Sequence, residues 1–366
     1  ITSTKSLSVT NSYYAWDVDS PNGNARLQNI TVTLETQGSS AVDLLALGYR
    51  YDHHGNIEEI DEQYNGGYQA THSFEYDILN LLKKANYTAP ITVTLPYTHH
   101  QTGRLKTFDG YTYAYASDPV LAPSQVTRIA DGQQLNFTYD ANGNMTQRQY
   151  FDDTGVKRTQ TLYWFPSNHL GAVIQSGVPT NPTYYAFDAD GIRYLQQQGA
   201  SGSLVVNYYP SAYWEYQWMQ ATSTLTPTRY YMLNGQPIAL KIGNLPVTYL
   251  HRDHLGSVVM STQGGAISDS RLYYAYGSKR GGDDYPFDAN YTGQRLDDTG
   301  LLYYNARFYD PQLGIFISPD SMIPDPTDYY SYNRYLYARG NPISNNDPTG
   351  HCAEAMLTPI PCVRAF

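Results

Sequence analysis

A short motif that recurs along the chain constrains its fold more than any other feature. In each copy an aspartate follows an aromatic residue and precedes a glycine by three positions, at Tyr51-Asp52, Tyr139-Asp140, Phe151-Asp152 and Phe187-Asp188. The aspartate can accept hydrogen bonds from nearby backbone N–H groups, and the glycine can adopt the positive φ that closes a tight turn. The motif therefore predicts a β-hairpin at each copy. Two variants occur, at Tyr76-Asp77 without the glycine and at Leu296-Asp297 with an aliphatic first residue.

The spacing between copies favours a stacked architecture over a single closed globule. Tyr51 and Tyr76 are 25 residues apart, and Tyr139 and Phe187 are 48 apart, which is about two such units. Repeats of roughly 20–50 residues are typical of arrays in which each unit packs on its neighbours. From the repeat alone, a run of ordinary β-hairpins such as a propeller remains an alternative.

The abundance of tyrosine points to an all-β chain. Tyrosine supplies 38 of the 366 residues, and charged residues only 15%. Aromatic side chains favour the half-buried surface of a sheet, and tyrosine adds a polar tip to an apolar ring. Apolar and polar residues alternate over residues 7–10 and 30–34, which also indicates strands. Residues 78–85 contain good helix formers, but we predict a strand there because they follow Tyr76-Asp77.

Several classes of function are disfavoured by the sequence. The net charge of -10 argues against a general nucleic-acid surface, which needs lysine and arginine. No apolar run approaches the ~20 residues that span a bilayer. No phosphate-binding glycine loop, dinucleotide fingerprint or serine-hydrolase motif occurs, so we predict no cofactor.

One histidine pair invites a metal interpretation. His251 and His254 flank Asp253, and imidazole and carboxylate groups are ligands for zinc. No further histidine or cysteine lies at ligand spacing, so we predict a structural hairpin here and no metal site.

The most specific stretch of the sequence lies near its C-terminal end, within residues 293–350. The residues that carry a family pattern there are Gly293-Gln294, Thr299-Gly300-Leu301, Tyr303-Tyr304-Asn305-Ala306-Arg307-Phe308-Tyr309-Asp310-Pro311, Gly314-Ile315-Phe316, Ser318-Pro319-Asp320, Asn333-Arg334-Tyr335, Asn341-Pro342 and Asp347-Pro348-Thr349-Gly350. This segment resembles the core-associated segment that closes proteins of the Rhs/YD-repeat family. That family includes bacterial polymorphic toxins, the C components of insecticidal toxin complexes and the teneurins.

The resemblance implies a fold and a division of the chain. The aromatic-Asp motifs resemble YD repeats, which in the family build a sheet that spirals around a hollow interior and is closed by an inward plug. We therefore expect a fragment of a YD-repeat β-sheet shell over residues 1–276, a connector over 277–292, a plug over 293–351 and a short tail over 352–366. The first strand is expected to pair with upstream chain or with a further copy.

The resemblance also implies a reaction and its residues. In the family the plug often performs self-cleavage by an aspartyl-protease-like mechanism, in which two nearby carboxyl groups share the work. The matching positions are Asp320 and Asp347, with Arg307 as the adjacent cation. The first motif lacks the usual proline and glycine, and the two aspartates are 27 residues apart. An alternative is that each aspartate only caps a turn. The implied cut lies between His351 and Cys352.

The fifteen residues after His351 are too few to bury a core of their own. They contain the chain's two cysteines, Cys352 and Cys362, for which we predict a disulfide, two thiols being the alternative. The tail is expected to be a retained peptide enclosed by the shell.

The predicted function is structural: the shell portion of a secreted or cell-surface protein that encloses a C-terminal peptide or toxin, and at most cleaves itself. The alternative is a surface module that binds carbohydrate or a cell-surface receptor through the aromatic residues between 200 and 250.

Overall fold

The fold is a long antiparallel meander of strands, followed by a compact and irregular C-terminal segment. The computed structural model describes residues 5–15, 20–22, 24–65, 67–116, 121–177, 182–323, 329–351 and 354–355. Within them, regular structure is almost all strand, and the three helices are single 3₁₀ turns at Tyr291–Gly293, Tyr329–Tyr332 and Ala338–Gly340. The all-β prediction is confirmed. No helix among the described residues has the length and apolar character needed to cross a bilayer.

The first seven strands form one sheet in sequence order. They are β1 (Lys5–Tyr13), β2 (Leu27–Thr36), β3 (Val42–Tyr51), β4 (Ile57–Tyr64), β5 (Tyr68–Tyr76), β6 (Leu82–Tyr87) and β7 (Val93–Pro96). Strand β1 pairs with β2, and no strand of the described residues pairs with its other edge. Its side chains are mostly exposed.

The next eighteen strands continue the meander, and their order closes on itself with β25 beside β8. They are β8 (Thr98–His99), β9 (Leu105–Phe108), β10 (Tyr111–Ala114), β11 (Gln125–Arg128), β12 (Gln134–Tyr139), β13 (Met145–Phe151), β14 (Lys157–Trp164), β15 (Leu170–Gln175), β16 (Thr183–Phe187), β17 (Arg193–Gln198), β18 (Val205–Ser211), β19 (Trp214–Met219), β20 (Thr224–Leu233), β21 (Gln236–Ile242), β22 (Thr248–Arg252), β23 (Val258–Gln263), β24 (Ala266–Tyr273) and β25 (Lys279–Gly282). Strand β25 lies within the predicted connector and pairs with β24.

The predicted hairpin turns share one geometry. In the turn that opens at Asp52, the Asp52 N–H donates to the Asn56 carbonyl at 2.9 Å and the Gly55 N–H donates back to the Asp52 carbonyl at 3.1 Å. The Asp52 carboxylate also accepts from the N–H groups of His54 and Asn56, each at 2.9 Å. Gly55 has a φ of 90°, which a side chain would strain. The same pair of backbone bonds recurs in the turns that open at Asp140, Asp152, Asp188, Asp253 and Asp297.

The turn at Asp77 keeps this geometry without glycine. Asn80 stands in the glycine position with a φ of 61°, and its N–H donates to the Asp77 carbonyl at 3.0 Å. Asparagine tolerates this left-handed region better than most residues. Residues 78–81 therefore belong to the turn, and β6 begins only at Leu82. The strand predicted over 78–85 is wrong in its first half.

Several of the tyrosine and tryptophan side chains that precede a turn donate to a backbone carbonyl earlier in the chain. The Tyr76 hydroxyl donates to the Ile57 carbonyl at 2.6 Å, and the indole N–H of Trp164 donates to the Met145 carbonyl at 2.7 Å. Ile57 is the fifth residue after Asp52, and Met145 is the fifth residue after Asp140. Tyrosine and tryptophan can thus pack an apolar ring against the covered face of the sheet and also donate a hydrogen bond to a backbone carbonyl.

Asparagine side chains join neighbouring turns into a rim. The Asn56 amide donates to the Asp52 carboxylate at 2.8 Å and to the Asn80 side chain at 2.9 Å. Asn144 and Asn168 make the equivalent contact at 3.0 Å. The rim therefore presents a row of ordered polar groups at one end of the strands.

The C-terminal segment packs as a plug against the sheet. Its own strands are β26 (Arg295–Leu296), β27 (Leu302–Tyr304), β28 (Arg307–Asp310), β29 (Ile315–Phe316) and the pair β30 (Asn345–Asn346) and β31 (Glu354–Ala355). Its centre is a group of fully buried rings: Tyr304, Tyr309, Phe316 and Tyr337. These residues share one hydrophobic core with residues of the sheet, so the predicted inward plug is confirmed.

Polar contacts fix the plug to the sheet. The Asn341 amide donates to Asn56 of the rim at 2.9 Å, and the Tyr335 hydroxyl donates to the Gly143 carbonyl at 2.7 Å. Three ion pairs also cross this boundary, namely Arg148–Asp310 at 2.6 Å, Arg193–Asp297 at 2.6 Å and Arg295–Glu215 at 2.7 Å.

Candidate functional site

The plug brings the three predicted site residues together. Arg307 begins β28, Asp320 follows β29, and Asp347 follows β30. One guanidinium nitrogen of Arg307, Nη2, lies 2.9 Å from Oδ2 of Asp320 and 3.2 Å from Oδ2 of Asp347. Because both contacts meet at one nitrogen, the two carboxyl oxygens lie within about 6 Å of each other. Their catalytic role stays a prediction.

Arg307 is held rigidly in the interior. Its guanidinium carbon lies 3.6 Å from the centre of the Phe316 ring, and its Nη1 donates to the Arg334 carbonyl at 2.9 Å. Burial lowers the pKa of Arg307, while the charges of Asp320 and Asp347 act in the opposite direction. A cation that is desolvated and fully oriented in this way interacts strongly with negative charge nearby.

Asp347 opens the turn that leads to the predicted cut. Its Oδ1 accepts from the N–H groups of Gly350 at 2.8 Å and His351 at 3.0 Å. The Gly350 carbonyl accepts a hydrogen bond from Nε of Arg307. Gly350 has a φ of 77°, and a Cβ there would lie 2.3 Å from the Tyr304 carbonyl oxygen. Only glycine therefore fits beside this site.

His351 is a member of the site that the sequence named only as the residue at the cut. Its Nδ1 lies 2.9 Å from Oδ1 of Asp320, which also accepts from the Met322 N–H at 3.0 Å. The sequence does place His351 directly after the Asp347 turn, and this position could have suggested that its side chain lies near the site. What it could not supply was the distance to Asp320, 31 residues earlier.

Two predicted features fall outside the described residues. Cys352 and Cys362 lie there, so the disulfide and the peptide bond after His351 stay predictions.

His251 in β22 and His254 in the following turn both make structural contacts. Nε2 of His251 lies 2.9 Å from the Thr262 hydroxyl, and Nε2 of His254 lies 2.8 Å from the Ile343 carbonyl of the plug. Asp253 accepts from the backbone of its own turn. In the part of the chain that the structure describes, no group of three or more His, Cys, Asp or Glu side chains could hold a metal ion.

The aromatic residues between 200 and 250 divide between the two faces of the sheet. Tyr209 lies at the boundary with the plug, where the guanidinium carbon of Arg295 is 4.4 Å from the centre of its ring. Tyr208 and Tyr213 are exposed. Trp214 and Tyr216 lie parallel, with ring centres 6.2 Å apart and an angle of 8° between the planes.

Comparison with known proteins finds relatives that are much longer than this chain. No family model matches the chain. The tRNA nuclease WapA of Bacillus subtilis is 30% identical over 239 residues, which are 62% of this chain and 9% of WapA. Toxin subunit YenC1 of Yersinia entomophaga is 32% identical over 125 residues, or 32% of this chain and 12% of YenC1. Toxin protein Tse5 of Pseudomonas aeruginosa is 24% identical over 263 residues, or 66% of this chain and 19% of Tse5. The chain spans about a tenth of the length of WapA and YenC1.

Solved structures with the same fold match nearly the whole chain. A TcdB2-TccC3-Cdc42 crystal structure aligns with a TM-score of 0.53 and 17% identity, covering 95% of this chain and 20% of that one. A Tc holotoxin pore of Photorhabdus luminescens with a TccC3 mutation aligns with a TM-score of 0.53 and 18% identity, covering 97% and 21%. At this identity the likeness concerns the fold.

Proposed function

The chain belongs to the Rhs/YD-repeat family, and from that premise we propose that it is a shell segment that encloses a C-terminal peptide and cleaves itself between His351 and Cys352. The enclosing role is supported by the closed order of β8–β25 and by the plug packed against them. We propose that the protein lies outside the cell or on its surface, and we expect the outer edge of β1 to pair with upstream chain or with a further copy.

One observation carries the self-cleavage proposal: Arg307 contacts both aspartates and the carbonyl oxygen of Gly350. The chain just before the proposed cut is therefore held by its carbonyl group and, through Asp347, by two N–H groups. Holding the reacting segment next to paired carboxylates removes much of the entropic cost of hydrolysis. A fixed guanidinium also stabilises negative charge that develops on a nearby oxygen.

The test is the intact mass of the purified chain over time. We expect a wild-type product that ends at His351 and a second product that begins at Cys352. Asp320→Asn and Asp347→Asn should keep the full mass, because neither amide can act as a carboxylate. Asp153→Asn is the matched control, because Asp153 is exposed in a repeat turn and should leave cleavage unchanged.

Two results would contradict the proposal. A wild-type chain that keeps its full mass indefinitely would rule out self-cleavage. Cleavage at the wild-type rate in both Asn variants would show that the aspartates only cap turns.

A second candidate function rests on the outer aromatic residues. The exposed Tyr208 and Tyr213 lie near the parallel pair of Trp214 and Tyr216, and the Arg229 guanidinium lies 4.5 Å from the Trp214 ring. Aromatic faces beside a cation suit the stacking of sugar rings. Binding to a glycan array that Trp214→Ala abolishes would support a carbohydrate-binding module, and an array without any binding would exclude it.

A further inference from the structure

Two carboxyl groups share one arginine where the chain enters the plug. Nη1 of Arg295 lies 2.7 Å from Oε2 of Glu215 on β19 and 3.4 Å from Oδ2 of Asp288, which precedes β26. Because both contacts meet at one nitrogen, the two carboxyl oxygens lie within about 6 Å of each other. We call the contact of residues 285–296 with β18–β20 the junction. We propose that Asp288 carries a proton while the junction is closed, and that loss of this proton loosens the junction as the pH rises.

The charged groups around Asp288 include more carboxyl groups than cations. The titratable groups that face it are Glu215 on β19, Arg193 on β17, Arg295 and Asp297 of the plug, and the hydroxyls of Tyr209 on β18 and Tyr230 on β20. Asp297 is paired with Arg193 at 2.6 Å. Arg295 is therefore left to balance two carboxyl groups, and two like charges this close disfavour the ionisation of one of them.

Glu215 is the better partner of Arg295, so the proton belongs on Asp288. Besides its shorter ion pair, Oε2 of Glu215 accepts from the Tyr230 hydroxyl at 2.9 Å. Among the described residues, Arg295 is the one donor to the Asp288 carboxyl group, at 3.4 Å. Burial and the charge of Glu215 raise the pKa of Asp288 to about 7, while Arg295 acts in the opposite direction. The Asp288 side chain is 28% exposed, so its proton can exchange with solvent.

The charge of Asp288 acts on the segment that leads into the plug. Phe287 and Ala289, its neighbours in sequence, pack in a small core with Tyr230 of the sheet. The Asp288 carbonyl also accepts from the Leu296 N–H at 2.9 Å, which ties this position to β26. An unbalanced charge at Asp288 therefore opposes the packing of the whole segment against the sheet.

The direction of the effect follows from the raised pKa. The closed junction binds the proton more tightly than an open one, in which Asp288 has its ordinary pKa of about 4. The advantage of the closed form is complete below about pH 4 and is lost as the pH rises through about 7. Between these values the equilibrium constant for opening should rise by up to about tenfold per pH unit, and above about pH 7 it should level off.

Hydrogen exchange of the full chain, followed by mass spectrometry between pH 5 and 8, tests the proposal. In the wild type, peptides that cover residues 285–296 should show this rise after correction for the pH dependence of intrinsic exchange. In Asp288→Asn, opening should not depend on pH, because the amide can still accept from Arg295 but carries no charge. Asp298→Asn is the matched control, since Asp298 is exposed in the neighbouring turn, and it should keep the wild-type profile.

A second variant separates charge from packing. In Glu215→Gln, Arg295 balances Asp288 alone, so opening should level off at a pH lower by about one unit. A purely structural defect would instead increase opening equally at every pH. A flat wild-type profile, a rise that persists in Asp288→Asn, or a Glu215→Gln profile that levels off at the wild-type pH would overturn the proposal. None of these results would bear on self-cleavage.

Discussion

The repeat sheet and the plug are held together by different kinds of contact. In the sheet, each turn satisfies its own backbone, and each motif tyrosine bonds to the neighbouring repeat. In the plug, the strands have two to four residues, and its contacts with the sheet include ion pairs between residues more than 80 positions apart in sequence. The sheet is thus built from local contacts that repeat, and the plug from distant contacts that each occur once.

This difference predicts how each region responds to substitution. A change in one repeat removes a contact of about 1 kcal/mol, because its neighbours still hold the sheet. A change at the boundary with the plug leaves a buried charge without its partner, which costs several times more. The following three experiments test that ranking.

The largest effect is expected for Arg148→Ala. Arg148 and Asp310 are both fully buried, and the substitution would leave Asp310 in the interior without its cation. Burial already raises the pKa of Asp310 against the influence of Arg148. We expect the free energy of unfolding, measured with urea, to fall by about 3–5 kcal/mol.

Arg128→Ala is the matched control. Arg128 forms an ion pair with Asp131 at the surface, where both side chains are partly exposed and solvent screens the charges. Its guanidinium also lies 4.0 Å from the centre of the Phe151 ring, so the free energy of unfolding should fall by no more than about 1 kcal/mol. Equal losses in the two variants would show that the plug is held by apolar packing and not by its ion pairs.

An intermediate effect is expected for Asp109→Asn, and it depends on pH. Asp109 accepts from the Tyr97 hydroxyl at 2.6 Å and from the Ser278 hydroxyl at 3.3 Å, and it takes part in no ion pair among the described residues. Burial raises its pKa to about 6. The folded chain therefore holds this proton more tightly than the unfolded chain does, so the stabilisation is complete below about pH 4 and is lost as the pH rises through about 6.

Asparagine at position 109 keeps the acceptor for Tyr97 and carries no charge. It also suits the φ of 42° at this position. At pH 7.5 the free energy of unfolding of the variant, measured with urea, should exceed that of the wild type by about 2 kcal/mol. At pH 4 the two proteins should have the same free energy of unfolding. A constant difference between pH 4 and 7.5 would show that Asp109 does not titrate in this range.

The smallest effect is expected for Tyr76→Phe. It removes the hydroxyl that donates to the Ile57 carbonyl and leaves the ring in place. The loss should be about 1 kcal/mol. Tyr163→Phe, on the exposed face of β14, should cost nothing measurable. If both variants match the wild type, the hydroxyl of the motif does not contribute to the bond between repeats.

The sequence predicted the parts of the molecule that depend on neighbouring residues. The Asp52 turn needs an aspartate and, three residues later, a glycine. Its four hydrogen bonds all join residues 52–56, so they can be predicted from neighbouring residues alone. Asn80 in the glycine position was missed, because an asparagine supports the turn only when the backbone around it is already fixed. The bond from Asn56 to Asn80 is one of the contacts that fix it.

The candidate site was predicted only through the family resemblance. Arg307, Asp320 and Asp347 were named from matched positions, since no periodicity links residues in three separate loops and strands. The contact of His351 with Asp320 depends on how the Asp347 turn directs the chain back toward β29. Likewise, the pairing of Arg148 with Asp310 joins residues 162 positions apart, and many other arginines could have served.

The bond between Asn341 and Asn56 has a consequence for the order of folding. These residues are 285 positions apart, and the Ser344 hydroxyl accepts from the Ile57 N–H across 287 positions. Loops of this length close late, after local hairpins have formed, and during synthesis the plug leaves the ribosome after the sheet. The Tyr335 contact to Gly143 adds a second distant anchor close to Asp320 and Arg334. Arg307, Asp320 and His351 can therefore meet only on a sheet that is already built, and a cut chain would be a chemical record that folding had finished.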